Sequence, residues 1–322
     1  MSTEAAPDTL ISLGDVRAAR AVIGDRLRRT PLMSSAWLGE QCGARVTLKL
    51  ELFQRTGSFK PRGVLNTLAT LTPAERARGV ISISAGNHAQ AVAWGSSAIG
   101  VRSTIVMPAT AVRSKVEATR GYGGEVIQTS GDLFATALEI QRERDLVLLH
   151  PFDDPRIIAG AGTVGLEIVE DAPDVDTVIV GCGGGGLLAG VATAVRGLRP
   201  GARVVGVEPT GANAMAQSLA KGGPVRLASL STIADGLAAP FAGSVTFPYV
   251  QALVERIVEL DDTQIIAGMR ALMERCKILP EPAGAAATGA LLSGQVDVRP
   301  GEHVVVIVSG GNVDIDRLKQ LL

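Results

Sequence analysis

The residue type and setting best suited to chemistry in this chain is Lys60, within Gly57-Ser58-Phe59-Lys60-Pro61-Arg62-Gly63. The aromatic neighbour predicts partial burial, and the proline restricts the backbone just after the lysine. Desolvation disfavours the charged ammonium, so such an amine has a lowered pKa. A neutral amine can condense with a carbonyl compound to form a Schiff base. A lone lysine is more often a solvated surface residue, so the assignment depends on what other segments supply.

Three segments supply it. Ser82-Ile83-Ser84-Ala85-Gly86-Asn87-His88-Ala89-Gln90 follows the apolar run Gly79-Val80-Ile81 and precedes an Ala-rich helical stretch, Ala89 to Ser97. A strand, a small-residue turn and a helix N-terminus in that order make an anion site of free backbone N–H groups. A second strand, Thr177 to Val180, runs into Gly181-Cys182-Gly183-Gly184-Gly185-Gly186 and then a helix beginning near Leu187. Consecutive glycines let the main chain approach a phosphate with no side chain in the way. The third segment is His303 to Val308, a nearly continuous Val/Ile run that ends in Ser309-Gly310-Gly311-Asn312-Val313-Asp314. A hydroxyl at the carboxyl end of a buried strand is well placed to meet a ligand.

The glycine run also satisfies G-x-G-x-x-G, with Glu208 following at the end of the next strand, as a dinucleotide-binding fold requires. An NAD-dependent dehydrogenase is therefore a competing reading. It leaves Ser58-Phe59-Lys60 and the segment from Ser84 to His88 unexplained.

The elements that must position these groups alternate between strand and helix. Leu13 to Arg28 predicts a helix capped by Ser12, and Arg62 to Thr70 another. Strands are predicted at Val46–Leu50, Val80–Ser84, Arg102–Met107, Glu125–Gln128, Thr177–Val180, Arg203–Val207 and His303–Val308. Unbroken β-branched runs suit strands buried on both faces, hence parallel sheets covered by helices. Two blocks, roughly 79–150 and 152–322, imply two α/β domains with a cleft between them. Apolar residues make up 46% of the 322 and aromatics only 3%, so Ala, Val, Leu and Ile must build the core. A net charge of -1 offers no electrostatic reason to bind nucleic acid or an acidic membrane. Cys42, Cys182 and Cys276 fit neither a zinc spacing nor a disulfide framework and suit a reducing compartment. No signal peptide or membrane span is evident. The expectation is a cytoplasmic protein whose first eight or so residues form an unstructured tail. His150 and His303 read as structural.

In order and spacing, six stretches make the chain resemble the pyridoxal-phosphate enzymes of the tryptophan-synthase-β fold. It is most similar to the serine/threonine dehydratase and serine racemase group. The stretches are Ser58-Phe59-Lys60, Ser84 to His88, Gly183 to Gly186, Thr232-Ile233-Ala234-Asp235-Gly236, Glu281-Pro282-Ala283-Gly284 and Ser309 to Asn312. The resemblance implies two open, twisted, mostly parallel sheets with the cofactor, pyridoxal 5'-phosphate, in the cleft. Residues 1–78 plus 151–322 would form the larger cofactor domain and 79–150 a small mobile one. Lys60 would carry the cofactor and shuttle the Cα proton, with Ser84 and Ala85 at the other catalytic positions. Phe59 would pack beside the ring and Asn87 would bond its hydroxyl. Gly183, Gly184, Gly185, Gly186 and the Leu187 N–H would cradle the phosphate, and Glu281 would lie against the cofactor. Ser309 would face the pyridine nitrogen. A neutral partner there weakens the electron sink and favours prompt elimination. Ser84, Ala85, Gly86, Asn87, His88, Asp235 and Gly236 would receive the amino-acid substrate. The implied reaction is loss of water from L-threonine or L-serine, giving 2-oxobutyrate or pyruvate and ammonia, by a homodimer or tetramer.

Three departures sharpen this expectation. Racemases of the group carry a serine acid–base where this chain has Ala85, which points to dehydration with little racemisation. Metal-binding members pair a Glu with an Asp six residues later. Here Glu208 is followed by Ala214, which argues against a divalent site. Finally, only eight residues follow Asp314, so the chain reads as a short form without a regulatory domain. A serine racemase, a 3-hydroxyaspartate dehydratase, a β-replacement enzyme and a threonine synthase remain alternatives on the same fold.

Overall fold

A computed structural model describes residues 10–322. The expected unstructured tail falls outside these residues. Among the described residues ten strands run β1 Leu32–Ser34, β2 Arg45–Leu50, β3 Val80–Ile83, β4 Ser103–Pro108, β5 Glu125–Thr129, β6 Val147–Leu148, β7 Thr177–Gly181, β8 Arg203–Pro209, β9 Arg256–Leu260 and β10 His303–Val308. Through residue 144 the helices are α1 Leu13–Ile23, α2 Ala36–Cys42, α3 Pro61–Ala69, α4 Pro73–Arg78, α5 Asn87–Ala98, α6 Arg113–Gly121 and α7 Leu133–Arg144. Beyond it lie α8 Pro155–Asp171, α9 Gly186–Leu198, α10 Ala214–Lys221, α11 Thr246–Leu253, α12 Asp262–Cys276, α13 Pro282–Leu292 and α14 Ile315–Leu321.

Two sheets result. One has six strands in the order β1-β2-β10-β7-β8-β9, and the other four in the order β5-β4-β3-β6. Every pairing is parallel except β1 with β2. The two strands at the centre of the larger sheet explain why. Every residue of β7 and β10 is buried, a pattern that only a sheet covered on both faces tolerates.

Helix α1 ends at Ile23 rather than Arg28, because Gly24 turns the chain with φ +50. Its start is as expected: Ser12 accepts from the Asp15 N–H, and the Asp15 carboxylate accepts in return from the Ser12 N–H. Three short or edge strands, β1, β6 and β9, were not expected.

Small residues bring the central helices into backbone contact. A Cβ at Gly190 of α9 would lie 2.6 Å from the Gly162 N of α8, and one at Gly165 2.8 Å from the Ala194 Cβ. Close approach of this kind lets α8 and α9 lie side by side over the larger sheet. With it, the loops after β2, β7 and β10 come to one edge.

Candidate active site

The loops at the carboxyl ends of the strands build the site, as open parallel sheets favour. Lys60 is the N-cap of α3, and Pro61 occupies the first helical position, where its missing N–H costs nothing. The backbone leading to it adds an edge to β10. Phe59 N–H donates to the Ser309 carbonyl at 3.1 Å, and Ser58 bridges Gly310. Lys60 Nζ donates to the Pro151 carbonyl at 3.0 Å and stands 5.0 Å from the centre of the Phe59 ring. Burial pushes this amine down to about 8, against the opposing pull of the Glu281 carboxyl.

The glycine loop lies between β7 and α9. Gly185, at φ +96, is the α9 N-cap, so the first N–H groups of that helix have no partner within it. Phe152 packs so closely beneath the loop that a Cβ at Gly184 would overlap its ring, and one at Gly186 would lie 3.0 Å from its carbonyl oxygen. The Thr246 hydroxyl donates to the Gly184 carbonyl at 2.6 Å. The Asp153 carboxylate in turn accepts from the N–H groups of Ser244, Val245 and Thr246.

The third wall is the turn after β3. Gly86 is the N-cap of α5, and the Ser84 hydroxyl accepts from the Gly86 N–H at 3.1 Å. Ala85 lies between them. Asn87 Nδ2 donates to Glu281 Oε1 at 2.6 Å, while Asn87 Oδ1 accepts from Asn312 Nδ2 at 2.8 Å. Burial pushes the Glu281 carboxyl up to about 7, with the Asn87 bond opposing. His88 is buried, and neither ring nitrogen has a partner. Burial, reinforced by Lys60 and His150, pushes its imidazole well below the ordinary range.

Not every expected residue gathers here. Gly236 does: a Cβ on it would lie 2.8 Å from the Ala283 Cβ. Asp235 is exposed at the cleft's mouth and pairs with Lys115 at 3.2 Å. Glu208 lies behind the glycine loop, where it accepts from the N–H groups of Met215 and Ala216 at the start of α10. Burial pushes its carboxyl up to about 8. Among the described residues no group of three or more His, Cys, Asp or Glu side chains is arranged to hold a metal.

Sequence reasoning missed the segment after β6. His150 was expected to be structural; its ring packs edge-on to Phe152 at 4.7 Å, and its Nδ1 accepts from the Asp153 N–H at 2.8 Å. His303 is structural, between Thr47 and Asp174. The clue in the first case was the run His150-Pro151-Phe152-Asp153-Asp154, unusually polar and aromatic for a connection between buried elements.

These residues fit pyridoxal phosphate. A side-chain-free loop at a helix N-terminus suits its phosphate, and a partly buried amine of lowered pKa suits its aldehyde. The buried Ser58 hydroxyl and both buried His88 ring nitrogens have no hydrogen-bond partner in the protein, as groups awaiting a polar ligand do. A family model described as pyridoxal-phosphate dependent enzyme matches residues 23–310, and the chain belongs to that family. Among its relatives, the catabolic L-threonine dehydratase TdcB of Staphylococcus aureus (strain N315) is 42% identical over 97% of this chain and 92% of its own length. L-Threonine ammonia-lyase of Thermotoga maritima is 40% identical over 97% of this chain and 78% of its own. A solved structure of maize serine racemase superimposes with a TM-score of 0.93 at 38% identity, covering 97% of each chain.

Proposed function

We propose that the protein eliminates water from L-threonine or L-serine, giving 2-oxobutyrate or pyruvate and ammonia. The observation that carries this reading is Lys60, a partly buried amine whose pKa burial lowers and whose Nζ bonds the Pro151 carbonyl rather than a carboxylate, in a chain that carries Ala85 in the Ser84–His88 turn. Pyridoxal phosphate, when bound, would supply an electron sink for charge at the substrate Cα. The glycine loop would hold its phosphate, Asn87, fixed by Glu281 and Asn312, would offer an N–H to its ring hydroxyl, and Ser309 would meet the ring nitrogen. The Ser84–His88 turn and the α5 N-terminus take the substrate carboxylate.

Lys60 removes the Cα proton. The β-hydroxyl departs with a proton as water, and the released enamine takes up one water to become 2-oxo acid and ammonia. Ala85 cannot deliver a proton to the second face of Cα, which separates this reading from a serine racemase despite the likeness to the maize enzyme.

We assign residues 79–150 to a smaller mobile domain over the remainder, 1–78 plus 151–322. At the rim, Ser114 Oγ donates to Asp314 at 2.8 Å and Lys115 pairs with Asp235, contacts that open at little cost. Deeper in, Asn87 bonds Glu281 and Asn312, Arg78 pairs with Asp145, and Val64 and Leu68 of α3 share an apolar cluster with Val80, Ala91 and Val92, so movement of the smaller part would hinge on that side. A cytoplasmic location and a homodimeric or tetrameric assembly follow from the resemblance; the three free cysteines suit a reducing compartment.

The test is a panel of L-serine, L-threonine and 3-hydroxyaspartate, assayed for 2-oxo acid and, by chiral chromatography, for inverted substrate. Release of 2-oxo acid from threonine and serine with little D-enantiomer is expected. D-Serine formed as fast as pyruvate would replace this reading by a racemase.

A further inference from the structure

Lys60 is held by one hydrogen bond at the end of a flexible four-carbon stem, so its position depends on the turn of helix that bears it. Two residues along, Arg62 is almost fully buried. A guanidinium has five N–H donors in a rigid fork, and all five are paired. Nε and Nη2 donate to the two Glu51 carboxylate oxygens at 2.8 Å each. Nη2 and Nη1 donate to the two Glu167 oxygens at 2.9 and 2.8 Å, and Nη1 also to Thr163 Oγ1 at 3.1 Å. Lys49 Nζ adds a bond to Glu167 at 2.6 Å, so two buried cations balance two buried carboxylates.

The partners come from different elements. Glu51 follows β2, Arg62 lies in the first turn of α3, and Thr163 and Glu167 are on α8. The helix backbones also touch: a Cβ at Gly63 would lie 2.9 Å from the Ile157 carbonyl oxygen, and one at Gly160 2.7 Å from Gly63 Cα. Helix α8 begins four residues after Pro151, whose carbonyl accepts from Lys60. One junction therefore fixes both the lysine and its acceptor.

Stability alone is a weak reason for such a junction. Buried ion networks seldom outperform apolar packing of the same volume. What two bidentate forks provide is orientation. We infer that Arg62 is a positioning residue for the reaction: clasped by Glu51 and Glu167, it locks the first turn of α3 to α8 and so sets where the Lys60 amine stands. The inference rests on Lys60 being the lysine that links the cofactor.

The decisive variant is Arg62→Met/Glu51→Gln, which removes the fork while leaving Lys49 paired with Glu167 and the network neutral. Holoenzyme is stripped of cofactor, pyridoxal phosphate is added back, and the visible absorbance of covalently attached cofactor is followed, alongside kcat, KM and the melting temperature. The folded double variant is expected to attach cofactor about tenfold more slowly and to lose about tenfold in kcat with KM little changed. Arg62→Lys does not rescue, because an ammonium cannot make two forks. Thr163→Val, which removes one acceptor of five and keeps both carboxylates, slows attachment about twofold and lowers the melting temperature only modestly, by the cost of leaving one buried donor unpaired. If the double variant does not fold, Thr163→Val decides. A folded variant with wild-type attachment and kcat overturns the role of Arg62. Borohydride labelling of wild-type holoenzyme at another lysine would instead overturn the functional reading beneath it.

Discussion

Replacing Lys60 by Met should make the cofactor-free protein more stable, and only below the alkaline range. The amine's drop from an ordinary 10.5 to about 8 arises chiefly from burial. At roughly 1.4 kcal/mol per pH unit, that drop corresponds to about 3 kcal/mol. The sign follows from proton counting. Between pH 8 and 10.5 the unfolded chain holds a proton that the folded amine has lost, so wild-type stability rises with pH across this window. Below about 8 the whole penalty is present. Methionine matches the stem and carries no charge. It forfeits the bond to the Pro151 carbonyl, worth about 1 kcal/mol. The variant should thus be about 2 kcal/mol more stable at pH 7, and the two proteins should be nearly equal by about pH 10. Urea unfolding of both cofactor-free proteins at several pH values measures the difference, and titrations shared by the two cancel. A Met variant that is less stable at pH 7, or a gap that does not change with pH, would refute the reasoning.

Gly184→Ala drives a methyl into the Phe152 ring beneath the phosphate loop; it should weaken pyridoxal phosphate binding about tenfold while preserving the circular dichroism spectrum, with overpacking costing about 1–3 kcal/mol of stability. Equilibrium dialysis reads the affinity. On the proposed reading Ala85→Ser would offer a hydroxyl to the second face of Cα and should raise the ratio of D-serine to pyruvate, as measured by chiral chromatography beside a 2-oxo acid assay. Glu208 is already engaged by the N–H groups of Met215 and Ala216, so exhaustive chelation should leave turnover almost unchanged. A large loss restored by magnesium or manganese would show that other groups complete a cation site.

The buried strands and the glycine loop were legible because their signals are local. His303–Val308 announces a doubly covered strand by composition alone, and it is one, bound for bound. The strands that escaped notice lack that signal. Leu32–Ser34 and Val147–Leu148 span three and two residues, and Arg256–Leu260 is an edge strand carrying charges. Lengths so short arise from pairing with a neighbour already in place, which no window of sequence contains. The same holds within the site. Asn87, Glu281 and Ser309 could each be singled out, but the 2.6 Å bond between Asn87 and Glu281 joins residues 194 positions apart. Lys49, Glu51, Arg62 and Glu167 read as ordinary charged residues, because their burial exists only once α3 meets α8.

The most direct measurement is borohydride reduction of the holoenzyme followed by peptide mapping. Lys60 combines partial burial, a lowered pKa and a bond to the Pro151 carbonyl rather than to a carboxylate. Lys49 is buried in the Arg62 network, paired with Glu167, and Lys115 pairs with Asp235 at the mouth of the cleft. Reduction should place the pyridoxyl label on the peptide containing Lys60, and Lys60→Ala should abolish both label and turnover while the protein stays folded. Label on Lys49 or Lys115, or turnover that survives Lys60→Ala, would contradict the site described.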